Sequence, residues 1–327
     1  MDYEFKDCID AGSQYCPCHL AETGDCIVCS QLSGKNFCDC INWKGVCIYQ
    51  EYHFNKNKAK NGREIYKGKI QKKEIYEDNL YIFTINVPHI LACSLTSFGS
   101  FVFIRNPKTD EYFDTPISIM DVDTEENNII IAIEKRGIKT KKICGQIEGE
   151  EMFIRGPFWN GVLGRKNINN AKHGVSLIIC RGIGIAPGIP VIKKLHSNGN
   201  RIILLLDRKP FNIDFAGEYY KKYNVELLIC DTLDKGELTF EIKNSINDVL
   251  NNEKINLIHC SGPDILIHEL LSFIDPLSKF SCSNNGKMCC GEGVCGTCST
   301  RYDDDKIKRL CKVQLDPKYV FKGRRSI

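Results

Sequence analysis

The sequence predicts a multidomain α+β protein: an antiparallel β-barrel, a doubly wound α/β domain and a C-terminal cysteine loop, with a cysteine-rich segment in front. Three observations carry this. Short apolar runs separated by polar breaks fill residues 65–158, the rhythm of a small antiparallel barrel. From residue 175 apolar strand-like runs alternate with helical stretches, the texture of a parallel sheet flanked by helices. The 19 cysteines crowd the two ends, eight before residue 48 and six after residue 281. The divisions that follow are 1–60, 61–165, 166–276 and 277–327.

At 327 residues the chain is long enough for several domains with cores of their own. Charged residues are 26% and the net charge is +3, so bulk electrostatics point to neither nucleic acid nor a membrane surface. The longest apolar runs, Val175–Cys180 and Ile202–Leu206 among them, fall far short of a membrane span. The opening MDYEFKDC lacks the basic and apolar regions of a signal peptide. The expectation is a cytoplasmic protein, in which clustered cysteines serve as metal ligands or catalytic groups rather than disulfides. Cys93, Cys144, Cys180, Cys230 and Cys260 are scattered through the middle and read as small buried residues.

The first segment carries Cys8, Cys16, Cys18, Cys26, Cys29, Cys38, Cys40 and Cys47, with His19 beside them and few aliphatic residues. Metal coordination substitutes for a hydrophobic core there, because ligand bonds supply folding energy. The metal is an iron–sulphur centre, as one cluster or two, or structural zinc. The choice of ligands stays open, with the pairs Cys16–Cys18 and Cys26–Cys29 leading. Residues 51–75 are rich in lysine and mark a boundary. Lys56, Lys58 and Lys60 are either a docking patch for an acidic partner such as ferredoxin or, the preferred reading, a solvated linker.

Barrel strands are expected at Tyr81–Val87, Phe101–Arg105, Ile117–Val122, Asn128–Glu134 and Met152–Phe158. Among them lie Thr115-Pro116-Ile117-Ser118-Ile119 and, about 20 residues later, Gly137-Ile138-Lys139-Thr140. In the α/β part, strands are expected at Val175–Cys180, Arg201–Leu206, Val225–Cys230 and Lys254–Cys260, with helices at Ala186–His196, Ala216–Tyr223, Glu237–Leu250 and Ile265–Ile274. After the first strand, Gly182-Ile183-Gly184-Ile185-Ala186-Pro187 is part of a G-x-G-x-x-G fingerprint. Its glycines admit close backbone approach, and the following helix offers N–H groups to a pyrophosphate. The last strand ends in Cys260-Ser261-Gly262-Pro263, a tight turn at the rim where doubly wound sheets bind ligands. Asp207 ends the second strand. A carboxylate there holds ribose hydroxyls and disfavours a 2′-phosphate, favouring NAD. The adjacent Arg208 and Lys209 argue for NADP, and a solvated strand end is the third reading.

The C-terminal loop, KMCCGEGVCGTCSTRYDDDKIKRLC, places four residues between Cys290 and Cys295, two between Cys295 and Cys298, and twelve between Cys298 and Cys311. That is the plant-type spacing for a [2Fe–2S] cluster. Zinc also uses C-x2-C, but a C-x4-C knuckle among glycines favours the cluster. Gly291, Gly293 and Gly296 let the loop bend tightly and turn backbone N–H groups towards sulphur. Cys289 competes with Cys290 for the first position, and Cys282 is a spare.

This order of parts resembles the ferredoxin-reductase-like flavoproteins, most closely the electron-transfer subunit of type B dihydroorotate dehydrogenase. It is also similar to the small subunits of sulfide dehydrogenase and NADH-dependent ferredoxin:NADP oxidoreductase. The resemblance covers about residues 65–321 and rests on Pro116-Ile117-Ser118-Ile119, Gly156-Pro157, the Gly182–Pro187 turn, Gly262-Pro263 and Met288-Cys289-Cys290-Gly291 with the three later cysteines. It implies that Cys290, not Cys289, is the first cluster ligand. It implies FAD against Pro116, Ile117 and Ser118, with Ile133, Glu134, Lys135, Gly137 and Thr140 near its isoalloxazine and pyrophosphate. Gly182, Gly184, Pro187, Gly262 and Pro263 would flank the nicotinamide cofactor.

Three positions depart from the family. Thr115 stands where an arginine usually contacts the flavin phosphates, Lys139 replaces the second glycine of Gly-x-Gly-Thr and offers a compensating charge, and Ser261 replaces a cysteine, leaving Cys260 behind it. Residues 1–50 have no family counterpart. The implied function is an electron wire from NAD(H), with NADP the alternative, through FAD and [2Fe–2S] to a partner oxidoreductase subunit or ferredoxin. An N-terminal iron–sulphur centre would extend the wire. The competing readings are a stand-alone NAD(P)H:ferredoxin or rubredoxin reductase, and a zinc-bearing redox sensor or scaffold.

Overall fold

The computed structural model describes residues 7–39, 43–301 and 307–321. Seven strands, Ile65–Tyr76, Leu80–Asn86, Phe101–Arg105, Thr115–Ser118, Asp121–Asp123, Asn128–Glu134 and Glu151–Phe158, pair antiparallel in one sheet. Thr115–Ser118 lies on one edge and Asp121–Asp123 on the other. Only Ile119 and Met120 separate them in the chain, so the sheet must curl until its edges approach, as a barrel does. The two linking residues bridge the edges: the Ile119 N–H donates to Ser100 O and the Met120 N–H to Ile130 O. The single strand expected at Ile117–Val122 is therefore two short strands with a crossing between them. Phe83, Ile85, Ile131 and Ile154 fill the interior, all fully buried.

The lysine-rich boundary needs correction. Its second half forms most of Ile65–Tyr76, a strand in the middle of the sheet. Gly68 and Ile70 face inward while Lys67 and Lys69 stay exposed, so a period-two pattern hides beneath the lysines. Residues Ile48–Phe54 form a helix just before it, and the Lys60 ammonium pairs with Glu51 at 2.9 Å.

The second sheet runs in the order Glu226–Ile229, Arg201–Asp207, Val175–Arg181, Ile255–Ser261, Phe280–Ser283, Val162–Leu163. The first five strands are parallel and Val162–Leu163 is antiparallel. Helices Ile185–Ser197, Gly217–Lys222, Phe240–Asn252 and Asp264–Phe273 connect them, and separate apolar cores cover the two faces. From Val175–Arg181 the chain first winds outward one way, then returns to its other side. The switch point between Val175–Arg181 and Ile255–Ser261 opens a crevice at their carboxyl ends. Phe280–Ser283 extends this sheet past residue 276, beyond the expected end of the domain.

The cysteine-rich segment builds only a small core around Ala21, Leu32 and Ile48. It is fastened to the other end of the chain, because Asp7–Cys8 pairs antiparallel with Val313–Gln314. Beside that ladder lie four paired charges, three of them buried and Glu292 partly so. Arg63 pairs with Asp10 at 2.7 Å and Glu292 at 2.8 Å, and Lys312 pairs with the same carboxylates at 2.6 and 3.1 Å. Among the described residues, no helix is long and apolar enough to cross a membrane.

Removing one member of a buried ion pair leaves its partner uncompensated, at a cost of about 3–5 kcal/mol. Arg63→Met should lower the urea midpoint accordingly. Burial works to raise the Asp10 and Glu292 carboxyls, but Lys312 and Arg63 outweigh it and hold both below their ordinary range. Their stabilisation is thus complete above the unfolded carboxylate range, near pH 4, and is lost as pH falls through the depressed folded values. Wild type should lose stability on acidification below about pH 4, and Arg63→Met should lose less. Equal acid sensitivity in the two proteins would show that the quartet is energetically idle.

Candidate functional site

A cleft of about 310 Å³ opens where the barrel edge meets the switch point of the parallel sheet. The barrel contributes Pro116, Ile117 and Ser118 from its edge strand, Ile133 and Glu134 from Asn128–Glu134, and Thr140 from the helix Ile138–Cys144. The α/β domain contributes Gly184 and Pro187 at the start of its first helix, and Gly262 after its last long strand. Residues selected separately for a flavin and for a nicotinamide therefore line one space. Close approach explains Gly184: a Cβ there would run into the Ser261 carbonyl, so the turn tolerates no side chain.

Other sequence-selected residues stand outside the lining. Thr115 donates its hydroxyl to Phe113 O at 2.9 Å. Lys135 donates to the Tyr81 hydroxyl at 3.0 Å. Gly137 caps the helix Ile138–Cys144, its N–H donating to Thr140 Oγ1 at 3.2 Å. Gly182 packs on the Lys209 carbonyl, and Pro263 caps the helix Asp264–Phe273. Lys139 donates to Asp114 O at 3.0 Å, one residue before Thr115. Ser261 is buried and bonded to His259 Nε2 at 3.1 Å, while Cys260 lies in the core against Cys282.

Asp207 requires a correction. Its carboxylate is 1% exposed and fully engaged: Oδ1 accepts the Lys209 N–H at 3.0 Å, and Oδ2 accepts the Thr232 N–H, the Thr232 hydroxyl and the Arg181 guanidinium. It ties strand ends together rather than offering oxygens to a ribose. Sequence reasoning missed Arg136, which lines the cleft and pairs with Glu134 at 2.7 Å. The signal was the missing arginine at Thr115, which called for a cation elsewhere on the rim. It also missed Gly161, Ser283, Asn284 and Asn285, which only the fold brings to the floor.

The C-terminal cysteines fall into two pairs. Cys290 Sγ accepts N–H groups of Glu292 at 3.3 Å and Cys295 at 3.4 Å, and Cys298 Sγ accepts that of Cys311 at 3.4 Å. Burial works to raise the Cys295 thiol, but bonds with Thr297 and Cys290 bring it to about 7. Hydrogen bonding with Cys311 brings Cys298 to about 6, and Cys311 shifts upward in return. Each pair thus favours a thiolate, the form that binds metal. Among the described residues no three His, Cys, Asp or Glu side chains converge on a single ion. Gly291 has φ +72° and lies flat on Phe158, whose ring a Cβ would strike. Cys289 is exposed, and Cys282 belongs to the strand Phe280–Ser283.

This loop is bonded to the cleft. Asn284, in the cleft wall, donates through its backbone N–H to Gly161 O at 2.8 Å and through Nδ2 to Leu310 O at 2.9 Å. Leu310 precedes Cys311. Arg155 donates to Cys290 O at 2.9 Å. At the other end of the chain Cys16, Cys26 and Cys29 gather round the small N-terminal core, with the Cys29 N–H donating to Cys26 Sγ at 3.4 Å. Burial raises Cys8 and brings Cys16 to about 12. Cys38 and Cys47 line a cavity of about 30 Å³ with Cys29. Cys40 lies outside the described residues.

No protein-family model matches the sequence. The dihydroorotate dehydrogenase B (NAD(+)) electron transfer subunit of Clostridium perfringens is 25% identical over 256 residues, 76% of this chain and 94% of the relative. The probable dihydroorotate dehydrogenase B (NAD(+)) electron transfer subunit of Pyrococcus furiosus is 28% identical over 204 residues, 62% of this chain and 73% of the relative. Among solved structures, NADH-dependent reduced ferredoxin–NADP oxidoreductase matches with TM-score 0.61 and 20% identity, over 78% of this chain and 90% of that one. Ferredoxin–NADP+ reductase from Plasmodium falciparum matches with TM-score 0.50 and 16% identity, over 66% and 92%. A barrel joined to a switch-point sheet, with a cleft between them, gives this chain a ferredoxin-reductase-like fold, and its sequence is similar to those of dihydroorotate dehydrogenase B electron-transfer subunits.

Proposed function

We propose that the chain is the electron-transfer flavoprotein subunit of a larger cytoplasmic oxidoreductase, linking NAD(H), FAD and a [2Fe–2S] cluster. The observation that carries this reading is a single cleft lined by both sets of nucleotide-site residues and hydrogen-bonded, through Asn284 and Leu310, to the paired cysteines. The relatives' names supply the preference for NAD and for a catalytic partner subunit; ferredoxin is the alternative partner. In the eight-cysteine segment the reading includes a second metal centre, iron–sulphur or zinc.

The residues present fit these groups. Pro116, Ile117 and Ser118 would hold the flavin along an extended edge strand that lines the cleft. Arg136 would supply a cation for the flavin phosphates from the cleft lining, whereas the Thr140 hydroxyl is taken up by the helix cap, donating to Gly137 O at 3.2 Å. Gly184, Pro187 and Gly262 line the same cleft and would leave room for a nicotinamide to approach the flavin face, and the helix Ile185–Ser197 starts at that rim. Cys290, Cys295, Cys298 and Cys311 would hold the [2Fe–2S] cluster. When bound, these cofactors convert a hydride's electron pair into single electrons. The chain's own part is to fix the order of contact: nicotinamide side, barrel edge, cysteine loop.

Cys295→Ser should abolish the [2Fe–2S] absorbance and EPR signal while NADH still reduces the bound flavin at close to the wild-type rate. Loss of flavin reduction in a folded, flavin-replete variant would contradict the linear order.

A further inference from the structure

We infer that Cys93 is a reactive thiol, served by His89 as its base and by Asn127 as the base's orienting group, that takes up small polar disulfides as mixed disulfides. Expected to be buried, Cys93 is exposed. The helix His89–Ser94 turns Leu91 and Ala92 inward and leaves His89 and Cys93 outside, one turn apart. Cys93 Sγ lies 3.4 Å from His89 Nε2. The other ring nitrogen, His89 Nδ1, is 2.6 Å from Asn127 Oδ1. An amide oxygen can only accept, so Nδ1 carries the ring proton and Nε2 presents its lone pair to the thiol. Nucleophile, base and orienting group thus stand in the order that nucleophilic cysteine sites use. None of the three lines the cleft, so this chemistry does not rest on the electron-transfer reading.

The ring is fixed from a turn and the thiol from the helix. Asn127 ends the turn before the strand Asn128–Glu134 in left-handed backbone, φ +57°. Its carbonyl accepts the Val87 N–H at 2.9 Å and Asn86 Nδ2 at 3.3 Å. At the far end of the helix the Trp159 indole donates to Ser94 O at 2.8 Å, and the Thr96 hydroxyl to Cys93 O at 2.9 Å. Beside the thiol there is room for a ligand. Ile90 is 65% exposed and stands three residues before Cys93, about 5–6 Å away on the same side of the helix. It borders a cavity of about 500 Å³ that Gln14, Asn55, Lys60 and Glu64 also line. Amides, an ammonium and a carboxylate suit a zwitterionic, peptide-like disulfide. In the reaction His89 Nε2 takes the Cys93 proton as Sγ attacks one sulphur of the disulfide. The new S–S bond forms as the old one breaks, and the departing thiolate recovers the proton. Cys93 is oxidised to a mixed disulfide, and the other half of the reagent leaves as the reduced thiol.

The test incubates the full-length protein, purified anaerobically as expressed, with oxidised glutathione and follows Cys93 occupancy by acid quenching and peptide mass spectrometry. A free cysteine is only a few per cent thiolate at about pH 7, so complete activation raises its rate by no more than about 30-fold. Wild-type Cys93 should react about tenfold faster than the same residue in protein unfolded by urea. His89→Ala should lose that advantage with its urea midpoint unchanged, and added imidazole should restore part of it. Asn127→Gly, which keeps the left-handed turn, should fall between the two; a wild-type rate there overturns the orienting role. Equal rates in folded and unfolded protein, or in wild type and His89→Ala, overturn the assignment of Cys93 as an activated nucleophile. Oxidised glutathione should outpace cystamine, which lacks peptide and carboxylate groups; equal or reversed rates overturn the ligand class.

Discussion

Four interlocked charges, three of them buried, hold this molecule's functional parts in register. Asp10 comes from the cysteine-rich segment, Arg63 from the entry to the barrel, and Glu292 and Lys312 from the C-terminal loop. Two cations and two anions cancel, and both cations are almost wholly removed from water. An exchange for apolar residues would leave no requirement that these three strands of chain meet; the pairing imposes one, because each charge is costly alone. The Asp7–Cys8 ladder with Val313–Gln314 closes the same junction from outside.

The cleft depends on a different constraint. The barrel can close only by carrying the chain from one sheet edge to the other through Ile119 and Met120, which leaves Thr115–Ser118 as an edge strand with Pro116, Ile117 and Ser118 in the cleft lining. The parallel sheet can reverse its winding only beside Val175–Arg181. These two consequences of topology face each other, and Asn160 and Asn284 fasten them to the segment Leu310–Val313. Cofactor proximity therefore follows from how each sheet completes itself rather than from a dedicated linker.

Much of this was legible in the sequence because the relevant physics is local. Every expected α/β strand and helix is present within a few residues, since period and length separate buried strands from amphipathic helices. The glycines at 291, 293 and 296 all take positive φ, as a tight ligand loop requires. What stayed hidden was non-local. The strand Ile65–Tyr76 looked like a linker because its outward face is lysine, and only pairing on both sides shows its inner face. Asp207 looked available because a strand end usually is; Arg181 and Thr232, 26 and 25 residues away, consume it. Arg136 was overlooked although it lies between Lys135 and Gly137, because the compensating charge was assigned to Lys139, whose ammonium instead donates to Asp114 O. The boundary at 276 failed because Phe280–Ser283 owes its sheet membership to a neighbour, Ile255–Ser261.

The central claim is that electrons pass from a nicotinamide through the cleft to the paired cysteines. The most direct measurement is anaerobic rapid mixing of the purified protein with NADH, following flavin absorbance and freeze-quenched EPR on the same samples. The account predicts that flavin bleaching comes first and that the EPR signal of a reduced [2Fe–2S] cluster rises afterwards as the flavin partly recovers. A cluster signal that appears without prior flavin reduction, or a protein whose flavin NADH leaves oxidised, would contradict it.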